Sequence, residues 1–127
     1  MSEYTILPLI NASFQPGEAK KTVASFEDRD FQKIARAEYY YFTGQAEKCS
    51  HIAEHYLMSH NIKLKMSSCL LYVYSNLTLG RAVASQKGIR EIRECLEKEM
   101  KYSSSAEDKA ISVFAGYMSS VLLHLPV

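Results

Sequence analysis

His51 and His55 stand four residues apart in "CSHIAEHYL", close behind Cys49. On a helix that spacing can aim two imidazoles at one metal ion. The stretch lacks the glutamate that follows the first histidine in an HExxH motif. The expected reading is therefore two solvent-facing histidines, with Cys49 turned to the opposite, buried face. Just upstream, "YYYFTG" sets Tyr39, Tyr40 and Tyr41 in a row before Gly44. Successive helical residues point about 100° apart, so the three rings cannot share one face. One is expected in the core, one between neighbouring hairpins and one nearer solvent. The competing reading is a tyrosine-lined groove. No GxSxG, phosphate-loop, dinucleotide or clustered-carboxylate pattern occurs. The sequence thus points away from an enzyme, and no cofactor and no metal site is expected.

Composition narrows the class further. The 127 residues suffice for one domain with a core of its own. Apolar residues make up 47% and charged residues 23%, which is ordinary globular composition. Fifteen Lys and Arg against fourteen Asp and Glu leave a net charge of +1, too little to suggest nucleic-acid binding by charge. Cys49, Cys69 and Cys95 are odd in number and far apart, so they read as reduced thiols of a cytoplasmic protein. The N-terminus has no basic stretch ahead of its short apolar patch, unlike a secretory signal, and no apolar run is long enough to span a bilayer. No membrane association is expected.

The elements that must position these residues are helices. No proline lies between Gly17 and Leu125, and glycines are sparse. Residues 1–26 read as an irregular or short-helical lead-in. Ser25 is the expected cap of the next helix, with Glu27 and Asp28 near its positive end. Phe31, Ile34, Ala35, Tyr41 and Phe42 then mark a helix that Gly44 stops. Ala46, Cys49, Ala53, Tyr56 and Leu57 mark a second, closed near Asn61. These two form a first hairpin over 27–61. Cys69, Leu70, Val73 and Leu77 mark a third helix, stopped by Gly80. Ile89, Ile92, Leu96 and Met100 mark a fourth, completing a second hairpin over 62–102. Its "IREIRECLEKEMK" face suggests the ion pairs Arg90–Glu94 and Glu97–Lys101. Ser105 is the best cap for a last, unpaired helix over 103–127.

Gly44 and Gly80 lie 36 residues apart, each ending a long helix just before another begins. That period is close to the roughly 34 residues of a tetratricopeptide unit. "AEYYYFTGQAEKCSHIAEHYL" resembles such a unit: Ala37 takes the small position, Tyr40 the aromatic one and Gly44 the turn, while Cys49 replaces an alanine. The usual tryptophan and closing proline are absent. "FEDRDFQKIARAEYYYFTGQAEKC", "SSCLLYVYSNLTLGR" and "VFAGYMSSVLLHLP" together resemble the tetratricopeptide-like region of bacterial LuxR-type, MalT-like helix-turn-helix transcription regulators. The likeness covers about Phe26 to Pro126 and lacks the helix-turn-helix itself.

The expected fold is all-α: stacked antiparallel helical hairpins in a tetratricopeptide-like right-handed superhelix forming a single domain over 1–127. The resemblance implies a protein-interaction or sensing domain of a LuxR-type regulator, binding a protein, a peptide or a small effector without touching nucleic acid itself. The alternative is a free-standing adaptor that binds a peptide in its groove; a reading frame continuing past Val127 into a helix-turn-helix separates the two. Glu38, Tyr39, Tyr72 and Asn76 are the candidate groove residues. Phe114, Tyr117, Val121 and Leu122 are candidates for self-association, because their helix carries apolar residues on more than one face. A homodimer through that helix is expected.

Overall fold

The structure, a computed structural model, describes residues 7–9, 12, 15, 17–102, 105–111 and 113–114. Five helices account for most of them: α1 (Ala19–Ser25), α2 (Arg29–Phe42), α3 (Ala46–Glu54), α4 (Ile62–Thr78) and α5 (Ala82–Tyr102). Further helical turns cover 106–111. No strand occurs among the described residues, so the chain is all-α there.

Gly44 and Gly80 end α2 and α4 in the same way. Both take a left-handed backbone, with φ of 79° and 74°. The amide of Gly44 donates to Tyr41 O and that of Gln45 to Tyr40 O; the amide of Gly80 donates to Leu77 O and that of Arg81 to Asn76 O. These paired bonds are the Schellman closure, which satisfies the last carbonyls of a helix and turns the chain back. A side chain at Gly44 would meet nothing within 4 Å, so substitution there is opposed by the backbone alone. Gly44→Val is expected to cost roughly 1–2 kcal/mol, the price of a left-handed L-residue, read as a lower urea midpoint at unchanged slope.

The other helix ends correct three sequence expectations. Asp28, not Ser25, caps α2: its Oδ1 accepts from the amides of Asp30 and Phe31 at 3.0 and 3.1 Å. Ser25 instead closes α1, donating its hydroxyl to Thr22 O. Asn61 opens α4 rather than merely ending the helix before it, accepting from the amides of Lys63 and Leu64. α3 is shorter than its apolar pattern suggests. The amides of His55 and Tyr56 bond three residues back, to Ile52 O and Ala53 O, which tightens the chain into turns over 55–58. Leu57 is buried all the same, and Tyr56 Oη donates to Asp30 Oδ1, pinning those turns to the start of α2. Ser105 caps as expected, accepting from the amide of Asp108 at 3.2 Å.

α4 is the centre of the packing. It touches α2, α3 and α5, while α2 also packs on α1 and α3. A helix with neighbours on so many sides has little solvent face left. Accordingly Leu64, Met66, Cys69, Leu70, Leu71 and Val73 are all buried, and so are Ser67, Ser68, Ser75 and Asn76. The polar members find partners: Ser67 and Ser68 donate to Lys63 O and Leu64 O, and Ser75 to Tyr72 O. Asn76 Nδ2 donates to Tyr72 O at 2.7 Å and to Ser50 Oγ of α3 at 3.0 Å. α5 comes close to α4 through Gly88, where a Cβ would lie 2.6 Å from Val73 Cγ2.

The expected ion pairs Arg90–Glu94 and Glu97–Lys101 are not formed. Glu91 of α5 reaches Lys65 of α4 at 3.4 Å instead, and Arg81 reaches back to Glu47 of α3 at 2.6 Å. Lys63 pairs with Glu107 at 2.7 Å.

Candidate functional site

Phe31, Ile34 and Glu38 follow one another at helical spacing, so α2 carries a carboxyl group on its apolar stripe. Glu38 is 0% exposed. A carboxyl so placed must find donors. One donor comes from 29 residues upstream: the amide of Leu9 donates to Glu38 Oε1 at 2.8 Å. Two residues earlier, the amide of Leu7 donates to Ser67 Oγ of α4 at 2.9 Å. Between them Pro8 has no N–H to satisfy. The Leu7–Pro8–Leu9 stretch thus lies across α2 and α4 with both of its backbone donors held by side chains. Pro8 and Leu9 are fully buried there. Leu9 joins Ala12, Val23, Phe26 and Ala35 in an apolar cluster, and Leu7 packs on the main core. Leu7 adopts a φ of 48°, a left-handed backbone that its side chain disfavours. Its tie to Ser67 and its packing on the core oppose that strain.

This arrangement corrects the groove expected from sequence. Glu38 meets a peptide segment, but that segment is the chain's own and Glu38 is covered by it. Asn76 is 1% exposed and turned to Ser50 of α3. Tyr72 is buried, with its ring beside Gly88 of α5. Neither can touch a partner from an open groove, because α4 is enclosed by its neighbours. Tyr39 alone of the four stays half-buried at the surface.

The three tyrosines fan out to three neighbours. Tyr39 packs on the Leu9–Val23–Phe26 cluster, with Lys20 Nζ of α1 6.0 Å from its ring centre. Tyr40 faces α3, where Lys48 Nζ lies 5.3 Å from its ring centre. Tyr41 meets Tyr74 of α4, the ring centres 6.2 Å apart. All three are half-buried, so none is fully in the core and none fully in solvent. Tyr39 and Tyr40 wall a cleft of about 410 Å³ between α1, α2 and α3. Lys20, Arg36 and Lys48 stand around it with the amides of Gln32 and Gln45, and among the described residues no acid lines it. Gln45 begins α3 without capping it, its side-chain amide donating to Thr43 Oγ1.

His51 and His55 are exposed, their ring centres 5.4 Å apart, while Cys49 points inward. Among the described residues no group of three or more His, Cys, Asp or Glu side chains could hold a metal ion. All three cysteines are free and buried. Burial pushes the Cys49 and Cys69 thiols up to about 12 and also raises Cys95. A thiol kept protonated is a poor nucleophile. Cys49 and Cys69 are therefore expected to resist a disulfide reagent at pH 8 in the native chain and to react at once in denaturant. The same shifts set a pH dependence. The unfolded chain loses these protons near 9, the native chain only near 12, so the stability these two thiols contribute is fully present well below pH 9 and is lost between pH 9 and 12. Thermal melts across that range check it.

Tyr117, Val121 and Leu122 lie outside the described residues. Phe114 and Val113 are described, and they are 45% and 51% exposed. No helix among the described residues is long and apolar enough to cross a membrane. No family model matches the chain, nor does any curated protein or solved structure.

Proposed function

We propose that this chain is a non-catalytic interaction and sensing domain that seats a short, bent peptide segment across α2 and α4. One observation carries the reading: that face already holds a bent stretch by its backbone, through Glu38 and Ser67. Side chains that bind backbone donors fix the register of a segment, while the buried Pro8 and Leu9 select its sequence. The matching turns at Gly44 and Gly80 support a tetratricopeptide-like superhelix of stacked hairpins. The resemblance of α2, α4 and the last helical segment supports a place in a cytoplasmic bacterial LuxR-type transcription regulator. Occupancy of the seat by a partner in place of Leu7–Leu9 is then the sensed event. Exposed Val113 and Phe114 support self-association through the last helix, which Phe114→Asp is expected to weaken in light scattering.

The test is a titration with a labelled peptide of residues 5–13, "TILPLINAS". In the wild type the tethered segment competes at an effective concentration of roughly millimolar. Leu9→Ala in the full chain weakens that competitor. The labelled peptide is expected to bind this variant at least tenfold more tightly than wild type, and to lose that gain when Ser67→Ala is added. A helical, cooperatively melting Leu9→Ala variant that fails to bind the peptide contradicts the reading.

A further inference from the structure

We infer that the cleft between α1, α2 and α3 is a second binding site, for a small ligand that carries two or more negative charges on a flat body. The site is distinct from the peptide seat: neither Glu38 nor Ser67, which hold the Leu7–Leu9 backbone, lines it. Lys20 of α1, Arg36 of α2 and Lys48 of α3 converge from three helices on one hollow of about 410 Å³. Pockets for small ligands begin at about 300 Å³, and their specificity comes from a few converging polar groups.

The charge balance around the cleft is unusual for this chain. Acidic and basic residues are nearly equal in number overall, fourteen against fifteen. Chance placement would mix them, as it does along α5. Among the described residues no acid lines this cleft, and none of its three cations is in an ion pair. Glu47, next to Lys48 in sequence, is paired with Arg81 at 2.6 Å. Lys48 and Lys20 lie over the faces of Tyr40 and Tyr39 instead of against a carboxylate. Three like charges around one hollow repel one another, and a bound polyanion relieves that repulsion.

The neutral groups complete the site. The half-buried rings of Tyr39 and Tyr40 offer aromatic walls against which a flat ligand can pack. Arg36 offers a planar fork suited to a carboxylate or a phosphoryl group, and the two lysines add point charges. Carboxylate and phosphoryl ligands share this chemistry, so the test has an arm for each.

Calorimetric titration of the full chain with phthalate and with phenyl phosphate reads both arms, with benzyl alcohol as the neutral control. At least one anion is expected to bind, at least tenfold more tightly than benzyl alcohol. Arg36→Glu and Lys48→Glu are each expected to weaken it at least tenfold, and raising the salt from 50 to 500 mM to weaken it severalfold. The anion that binds more tightly identifies the charged group. Both substitutions fall on exposed side chains, and unchanged melting temperatures confirm that the fold is kept. No binding of either anion at 10 mM overturns the inference. Binding that ignores both charge reversals, or that benzyl alcohol matches, also overturns it.

Discussion

Gly88→Val is expected to destabilise the chain by roughly 2–3 kcal/mol, at the upper end of the cost of overpacking a well-filled core. Gly88 sits in α5 where that helix meets α4, and it is buried. A Cβ built there would lie 2.6 Å from Val73 Cγ2 and 3.4 Å from both Cys69 O and Tyr72 Cδ2. Val73 is fully buried and β-branched, so its methyl has no open rotamer to retreat into. Either the two helices separate or their side chains leave their rotamers. Helix propensity works the other way, since Gly in a helix costs about 1 kcal/mol relative to Ala. Gly88→Ala therefore separates the two effects. Destabilisation by Gly88→Ala in urea means that close approach outweighs propensity, as expected; stabilisation would mean that α4 and α5 have room between them.

Glu38→Ala is the second large effect. It leaves the Leu9 amide buried without its carboxyl acceptor, a loss of roughly 1–3 kcal/mol, and it opens a void on the α2 stripe. Glu38→Gln keeps an acceptor oxygen of the same reach and is expected to lose much less. The signature that distinguishes a seat from generic packing is local. In Glu38→Ala the amides of Leu7 and Leu9 should lose exchange protection far more than those of Ile34 or Leu70. An equal loss throughout the chain would make Glu38 an ordinary core residue.

What the sequence made legible follows from the range of the interactions involved. Gly44 and Gly80 mark their turns because a left-handed residue is a local demand, visible in a single letter. The cap at Ser105 is local in the same sense. The cap at Asp28 is hidden in the sequence because Ser25, Glu27 and Asp28 all suit a helix start, and only the path of the chain between α1 and α2 decides among them. α3 reads too long from its sequence because Tyr56 and Leu57 keep the apolar rhythm of a helix after the backbone has tightened into turns. The ion pairs differ from the expected ones because Glu91 and Arg81 reach across to other helices, which no spacing of three or four reveals.

The candidate site failed in sequence for a related reason. The residues that seat the N-terminal stretch come from positions 38 and 67, and the stretch itself from 7–9. Periodicity reports which face of α2 is apolar but not what covers it. A signal was present all the same. Glu38 interrupts the stripe of Phe31 and Ile34 with a carboxyl group, and a polar group in such a place requires a partner from elsewhere. Leu-Pro-Leu, a short apolar run with one missing donor, was a suitable partner. Asn76 and Tyr72 fall on sides of α4 that α3 and α5 cover, and helical spacing alone does not say which sides those are.

Hydrogen exchange at the Leu7 and Leu9 amides of the wild-type chain tests the peptide seat most directly. A segment that can vacate its seat opens without global unfolding, so its amides exchange through a local equilibrium. The peptide-seat reading predicts exchange at Leu7 and Leu9 at least a hundredfold faster than at the core amides of Ile34 and Leu70. Exchange of all four at one common, globally limited rate would contradict it, and would make Leu7–Leu9 a fixed part of the core rather than the occupant of a site.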